Sequence, residues 1–216
     1  MSARPRSGAT VPDPRRLRRP RRGRAAATLA VAALALGGCN LLRGPDAPRE
    51  TYDIIAPANA APSVATRAQI LVKEPTALRA YDTDRIVLKP SPRVITYIAD
   101  AQWLDTAPKL IQARLVEVFE NTGRTGATAR PGDGLVIDFQ LVPSLRRFEI
   151  IEDENAAILE LSIKLLTDKT GLVRSTRIFT ARAPVDEATS DGYVRALDNA
   201  FDAASREIVE WVLSSI

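Results

Sequence analysis

Hydrophobic and polar residues alternate along much of the second half of the chain. Leu135, Ile137, Phe139 and Leu141 interleave with Val136, Asp138, Gln140 and Val142, and Ala157, Leu159, Leu161, Ile163 and Leu165 keep the same odd phase against Glu160, Ser162 and Lys164. Successive side chains of a strand point to opposite faces, so both runs predict strands with one buried side. Between them Phe148 and Ile150 fall on even numbers, and this slip predicts a bulge or bend near Pro143. Thr167-Asp168-Lys169-Thr170-Gly171 then leads to a strand from Leu172 to Arg182, which makes a hairpin. Earlier apolar runs at Tyr52 to Ala56, Ala68 to Lys73, Arg85 to Lys89 and Arg93 to Ile98, separated by Asp82-Thr83-Asp84 and Pro90-Ser91-Pro92, predict shorter strands.

Two stretches change period. Leu110, Ile111, Leu115, Val118 and Phe119 recur at helical spacing, with Asp105 or Thr106 as N-cap, Pro108 in the first turn and a stop at Gly123. Val194, Leu197, Phe201, Ala204, Ile208, Val209 and Val212 form a second stripe, introduced by the capping cluster Thr189-Ser190-Asp191 and running to about Leu213. The pattern predicts an α+β fold: a mostly antiparallel sheet with two amphipathic helices packed on one face.

Residues 1 to 38 differ in composition from the rest. They hold nine arginines against the single acid Asp13, which leaves a formal charge of −4 for residues 39 to 216, although the whole chain carries +4. Residues 25 to 36 (AAATLAVAALAL) form an apolar run of roughly 18 Å as a helix, well short of the ~30 Å hydrocarbon core of a bilayer. Charged, apolar and small segments in that order read as an export signal that is removed. Neither Arg15-Arg16 nor Arg21-Arg22 has the adjacent hydrophobic residues of a twin-arginine signal, and the arginine cluster lies on the discarded side, so nucleic acid is not expected as a partner.

The chain has no histidine and one cysteine, Cys39. Histidine-based triads, internal disulfides and Cys-based zinc clusters are thereby excluded, and no metal or cofactor is expected. Leu36-Gly37-Gly38-Cys39 resembles the lipobox of bacterial lipoproteins, in which the cysteine sulfur receives a diacylglycerol, the chain is cut before it and the new amine is acylated, with chains such as palmitate. Several acyl chains hold a bilayer durably where one does not. The expected organisation is a signal peptide over residues 1–38, a lipidated tether over 39–51 with Pro45 and Pro48, and a periplasmic domain over 52–216. Asn40 follows the cysteine where many inner-membrane-retained lipoproteins carry Asp, which resembles the outer-membrane sorting pattern of enterobacteria and implies the outer membrane over the inner.

The order of elements, with Cys39, the early Tyr52-Asp53-Ile54-Ile55, the stretch ILVKEPTALRAYDTDRIVLKPSPRVITYIADAQWLDTAPKLI from Ile70 to Ile111, and a closing Ala-rich helix ending Glu210-Trp211-Val212-Leu213, resembles the ABC-type transport auxiliary lipoproteins of MCE-type and paraquat-inducible-type lipid transport systems. The resemblance implies a non-enzymatic component, held in the cell envelope by its lipid anchor on the periplasmic side. Its partners would be an MCE-domain protein and an ABC permease/ATPase complex moving lipids between membranes, and self-association into a homo-oligomer is compatible with it. The alternative is a domain that itself carries an apolar ligand between sheet and helices.

Candidate chemistry elsewhere in the chain is thin. The loop from Thr122 to Gly134 has glycines at 123, 126, 132 and 134 but lacks the Gly-Lys-Ser/Thr ending of a phosphate cradle. Glu152-Asp153-Glu154 are consecutive on an expected turn rather than held across a cleft. Ser162 and Lys164 share a strand face without the Ser-x-x-Lys helical arrangement of a hydrolase. Trp103, Tyr81, Tyr97 and Trp211 are expected as core anchors, and the polar loop with Arg79, Asp82, Asp84 and Arg85 as a solvated turn.

Overall fold

The structure, a computed structural model, describes residues 48–58 and 60–216. Its elements in chain order are β1 (Glu50–Tyr52), β2 (Gln69–Val72), β3 (Thr76–Ala77), β4 (Arg85–Ser91), β5 (Val94–Trp103), α1 (Ala107–Thr122), β6 (Ala127–Ala129), β7 (Phe139–Ile151), a 3-10 turn (Glu152–Glu154), β8 (Ala156–Thr167), β9 (Val173–Pro184) and α2 (Ser190–Ser215). Glu50 and Thr51, within the expected tether, are strand residues paired to Ala101 and Gln102 of β5.

The sheet is organised on β7. One edge of β7 pairs antiparallel with β8 from Phe139↔Thr167 to Ile151↔Ala156, and β9 continues outward from β8. The other edge is shared end to end by three strands, all parallel to it: β2 at Phe139 to Leu141, β3 at Ser144 and Leu145, and β4 at Glu149 to Ile151. β6 lies outside β2, while β5 and then β1 lie outside β4.

The α+β class expected from the pattern holds, but the sheet is not mostly antiparallel. Five of the eight strand pairings among the described residues are parallel. The reason lies in α1: parallel neighbours need a crossover, and the helix between β5 and β6 returns the chain so that β6 and β7 run alongside β2 and β4. Turn-rich spacing between short strands suggests hairpins, yet only β4–β5, β7–β8 and β8–β9 pair that way.

Two further details depart from the expected pattern. β7 begins at Phe139, so Leu135, expected on the buried side of a strand, is exposed, as is Val136. The register shift lies between Leu145 and Arg147, not at Pro143, which sits opposite Ile163 in unbroken pairing. On its other edge Pro143 falls between the end of β2 and the start of β3, where no parallel partner stands.

Both helices share one buried core with the sheet, and α2 contacts β9, β8, β7, β5 and α1. Thr189 caps α2 by accepting the Gly192 N–H at 3.1 Å, and the whole predicted stripe from Val194 to Val212 is buried. At α1 the N-cap is Thr106, which makes no side-chain cap bond; the Ala107 N–H donates instead to the Thr83 carbonyl at 3.0 Å. Gly123 ends α1 in the left-handed region at φ 57°, where a side chain would be strained.

The segment after β1 forms a strap along the groove between the helices. Asp53 pairs with Arg114 of α1, the Ile55 N–H donates to Asp198 of α2 at 2.7 Å, and the Ser63 N–H donates to Glu210 of α2 at 2.9 Å. Ile54, Ala56 and Ala60 of this strap enter the core. Burial raises the Asp198 carboxyl above the usual carboxylate range against the opposing effect of the Ile55 N–H.

Candidate functional site

Cys39 lies outside the described residues. The aromatic residues singled out by the sequence are structural. Trp103 is 2% exposed and stacks on Phe148 at 5.2 Å between ring centroids, and Trp211 meets Phe179 edge-on at 5.4 Å. Tyr97 lies under the Arg85 guanidinium at 5.0 Å. The polar loop is more than a solvated turn: its Asp84 carbonyl accepts the Trp103 N–H at 2.7 Å while Thr83 holds the start of α1, so it fixes where β5 ends and the helix begins.

The other candidates do not converge. Glu152, Asp153 and Glu154 are exposed on the 3-10 turn, where Glu154 is engaged by Arg182 at 2.5 Å. Ser162 is half-buried and Lys164 exposed on the same face of β8, and neither is hydrogen-bonded to the other. Among the described residues no group of three or more His, Cys, Asp or Glu side chains is placed to hold a metal.

One polar cluster was not legible in the sequence. Glu149 of β7 is 0% exposed and receives the Tyr81 hydroxyl, the Arg147 Nε at 2.8 Å and the Lys89 ammonium at 3.6 Å. Its neighbours Phe148 and Ile150 belong to the core that faces the helices, so Glu149 projects to the other face, as alternation requires. Polar residues there are ordinarily solvated. Here Tyr81, from the β3–β4 connection, reaches Glu149 with its hydroxyl, and the cross-strand neighbours Val87 and Ile158 are buried too. Burial and the hydrogen bond to Glu149 hold the Tyr81 hydroxyl above the usual phenol range. A buried carboxylate held by two hydrogen-bond donors and a nearby ammonium reads as an organising contact.

The space between sheet and helices is filled by Trp103, Phe119, Phe148, Phe179 and Phe201. Two ends of the sheet are left on the surface, and at one of them Arg182 pairs with Glu154 and Arg195 with Asp191. At the C-terminal end of β7 stand Glu50, Asp100, Glu152, Asp153, Glu154 and Asp191, around the place where the chain enters β1; there Tyr52 donates to Glu50, which drives its own pKa up to about 12. At the N-terminal end of β7 the β8–β9 turn and the loop into β7 meet, joined by the Asp168 N–H donating to the Asp138 carbonyl at 2.9 Å. This end exposes Leu172 (68%), Val136 (77%), Leu135 and Val173. Beside them lies a depression of about 490 Å³ lined by Arg67, Asp138, Phe139 and Lys169.

Against this geometry, comparison with known proteins is informative. Residues 52–209 match the family model of the ABC-type transport auxiliary lipoprotein component. The chain belongs to this family. The family's description is an auxiliary lipoprotein component of ABC-type transport, which points to the cell envelope. A crystal structure of a Xanthomonas campestris DUF330 protein is similar with a TM-score of 0.69 and 29% identity, covering 77% of this chain and 95% of that one. A second crystal structure, of an uncharacterized protein, shares the fold at TM-score 0.63 and 14% identity, over 77% of this chain and 99% of the other. An uncharacterized Bradyrhizobium diazoefficiens protein is 33% identical over 185 residues, which is 84% of this chain. The chain spans about half (50%) the length of that curated relative. No helix among the described residues is long and apolar enough to cross a membrane.

Proposed function

We propose that the chain is exported, cut before Cys39 and held on the periplasmic side of a membrane, more readily the outer than the inner, by acyl groups on Cys39. Residues 1–38 are then the signal peptide, 39–51 the lipidated tether, whose Glu50 and Thr51 already pair into the sheet, and 52–216 the rest of the working domain. The domain acts without catalysis, as a docking component that links an ABC permease/ATPase complex and its MCE-domain subunit to the membrane bearing the anchor, in the trafficking of lipids. The observation that carries this reading is the family match over residues 52–209, beginning directly after a lipobox-like Cys39 and its short connecting segment. Two features support a docking rather than a carrying role. The interval where an apolar ligand would sit is packed with aromatic side chains, and the groove between the helices is filled by the strap.

The test has two arms. Cells supplied with labelled palmitate should label the wild-type protein and not Cys39→Ser, and the variant should leave the membrane fraction. Co-purification of the acylated protein from membranes should recover the MCE-domain, permease or ATPase subunits. Label retained by the Cys39→Ser protein, or consistent absence of transporter subunits, counts against the corresponding half of the reading.

A further inference from the structure

The loop between β3 and β4 is fixed at several points along its length. Its Leu78 carbonyl accepts the N–H groups of Tyr81 at 2.8 Å and Asp82 at 2.9 Å, and the Tyr81 hydroxyl donates to the buried Glu149. Farther along, the Thr83 carbonyl accepts the first N–H of α1 at 3.0 Å, and the Thr83 hydroxyl accepts the Arg85 N–H at 3.2 Å. The sheet thus holds the loop at Tyr81, and α1 holds it at Thr83. Val87 of β4 pairs with Tyr97 of β5 on one side and with Glu149 of β7 on the other, so the three form one row across the sheet. Directly paired residues share a face. The loop therefore stands beside Tyr97, on the face turned away from the helices. Between them lies a depression of about 670 Å³ lined chiefly by Arg79, Asp82, Thr83, Arg85, Ile95 and Tyr97. Small-molecule sites span roughly 300–1,000 Å³.

Three charged side chains line this hollow, and none is spent elsewhere. Arg79, Asp82 and Arg85 form no ion pair among the described residues. The Arg85 guanidinium lies over the Tyr97 ring at 5.0 Å, and its Nε is buried without a hydrogen bond. Stacking fixes the plane of the guanidinium, which leaves a pre-set fork of donors with no acceptor.

The charges select the ligand. Two guanidinium groups in one hollow call for an oxyanion, and each fork engages two acceptor oxygens. The two oxygens of a carboxylate lie in one plane and are both taken by a single fork, whereas a phosphate ester presents oxygens in more than one plane. Asp82 adds a second condition. It repels a bare anion and accepts from a hydroxyl or ammonium group of the same molecule. An acidic protein segment would answer the arginines and set like charge against Asp82. We propose that this depression binds a phosphate ester carrying a hydroxyl or ammonium group, with Arg79 and Arg85 on the phosphoryl oxygens, Asp82 on the donor, and Tyr97 and Ile95 as the apolar wall. A soluble ester such as glycerol 3-phosphate and the head of a glycerophospholipid both present this chemistry. The site stands independently of the lipid anchor and of the docking reading.

The full chain, purified in neutral detergent and phosphate-free buffer, is titrated by calorimetry with inorganic phosphate, glycerol 3-phosphate and dihexanoyl phosphatidylglycerol below its micelle-forming concentration. Both esters are expected to bind saturably and more tightly than inorganic phosphate, and the tighter of the two identifies a soluble or a lipid-borne source. Arg79→Gln and Arg85→Lys should each weaken the esters about tenfold, the second because lysine keeps the charge and loses the fork. Asp82→Asn should narrow the preference for ester over inorganic phosphate. Arg79 and Asp82 are exposed, so the thermal midpoints of their variants should match wild type, and a change in binding is then not a folding loss. Equal affinity across the variants, no saturable binding of either ester, or tighter binding of a glutamate-rich peptide than of both esters overturns the site. Those results leave co-purification with transporter subunits untouched, whereas failed co-purification with intact ester binding removes the docking reading alone.

Discussion

The Tyr81–Glu149 contact offers the sharpest test of how this fold is held together, because it ties the β3–β4 loop to β7 through a carboxylate with no solvent access. Tyr81→Phe removes the hydroxyl and little volume. Glu149 keeps the Arg147 hydrogen bond and the Lys89 ion pair but loses one of its two hydrogen-bond donors while buried, and a hydrogen bond to a charged group contributes about 1.5–3 kcal/mol. The expected loss is about 2 kcal/mol, or about 4–8 °C in thermal midpoint for a domain of this size. Glu149→Gln keeps the shape and cancels the charge, leaving Arg147 and Lys89 without their shared counter-charge, and should cost a comparable amount. The two residues touch, so the double variant should be less destabilised than the sum of the singles, with a coupling of about 1 kcal/mol or more. Urea denaturation of the four proteins at pH 7 measures all terms. Additivity within about 0.3 kcal/mol refutes the claim that the hydroxyl and carboxylate act as a unit.

The tyrosines also set the alkaline limit. Tyr81 and Tyr52 both titrate higher in the folded domain than the ordinary value of 10.0, so their contribution is complete below about pH 10 and is lost as pH rises through the folded values. Tyr81→Phe should therefore flatten the fall in stability above pH 10 in a pH series of urea titrations, and an unchanged slope rejects this origin. Trp103→Ala removes a ring stacked on Phe148 and should cost about 3–5 kcal/mol in the same assay; a loss below about 1 kcal/mol means the ring is not the anchor it resembles. Gly126→Ala places a Cβ 2.0 Å from the Arg67 carbonyl oxygen, so the strap end and β6 must separate. A cost of about 1–3 kcal/mol is expected by denaturation, and a neutral result shows that the backbone there yields freely.

Local periodicity was enough to determine the two helical stripes, the Gly123 stop, the Thr189 cap and the β8–β9 hairpin, because each depends on contacts within a few residues or on one buried side repeating at the period of its element. The family landmarks were equally legible, since they consist of the same spacings. Three things were decided only by tertiary structure. The parallel placement of β2, β3 and β4 along one edge of β7 depends on what lies beside β7 in space, and a strand's alternation is the same whichever way its neighbour runs. Leu135 and Val136 carry the alternation of a strand yet stay outside the sheet, because β7 finds its first partners only at Phe139. Glu149 alternates between two core positions and would be solvated on that face, yet it is buried and bonded by Tyr81, 68 residues away in sequence. Separations of that kind leave no periodic trace: the identity of a covering loop is a property of the folded chain, while the period of a helix or strand is written in each element alone.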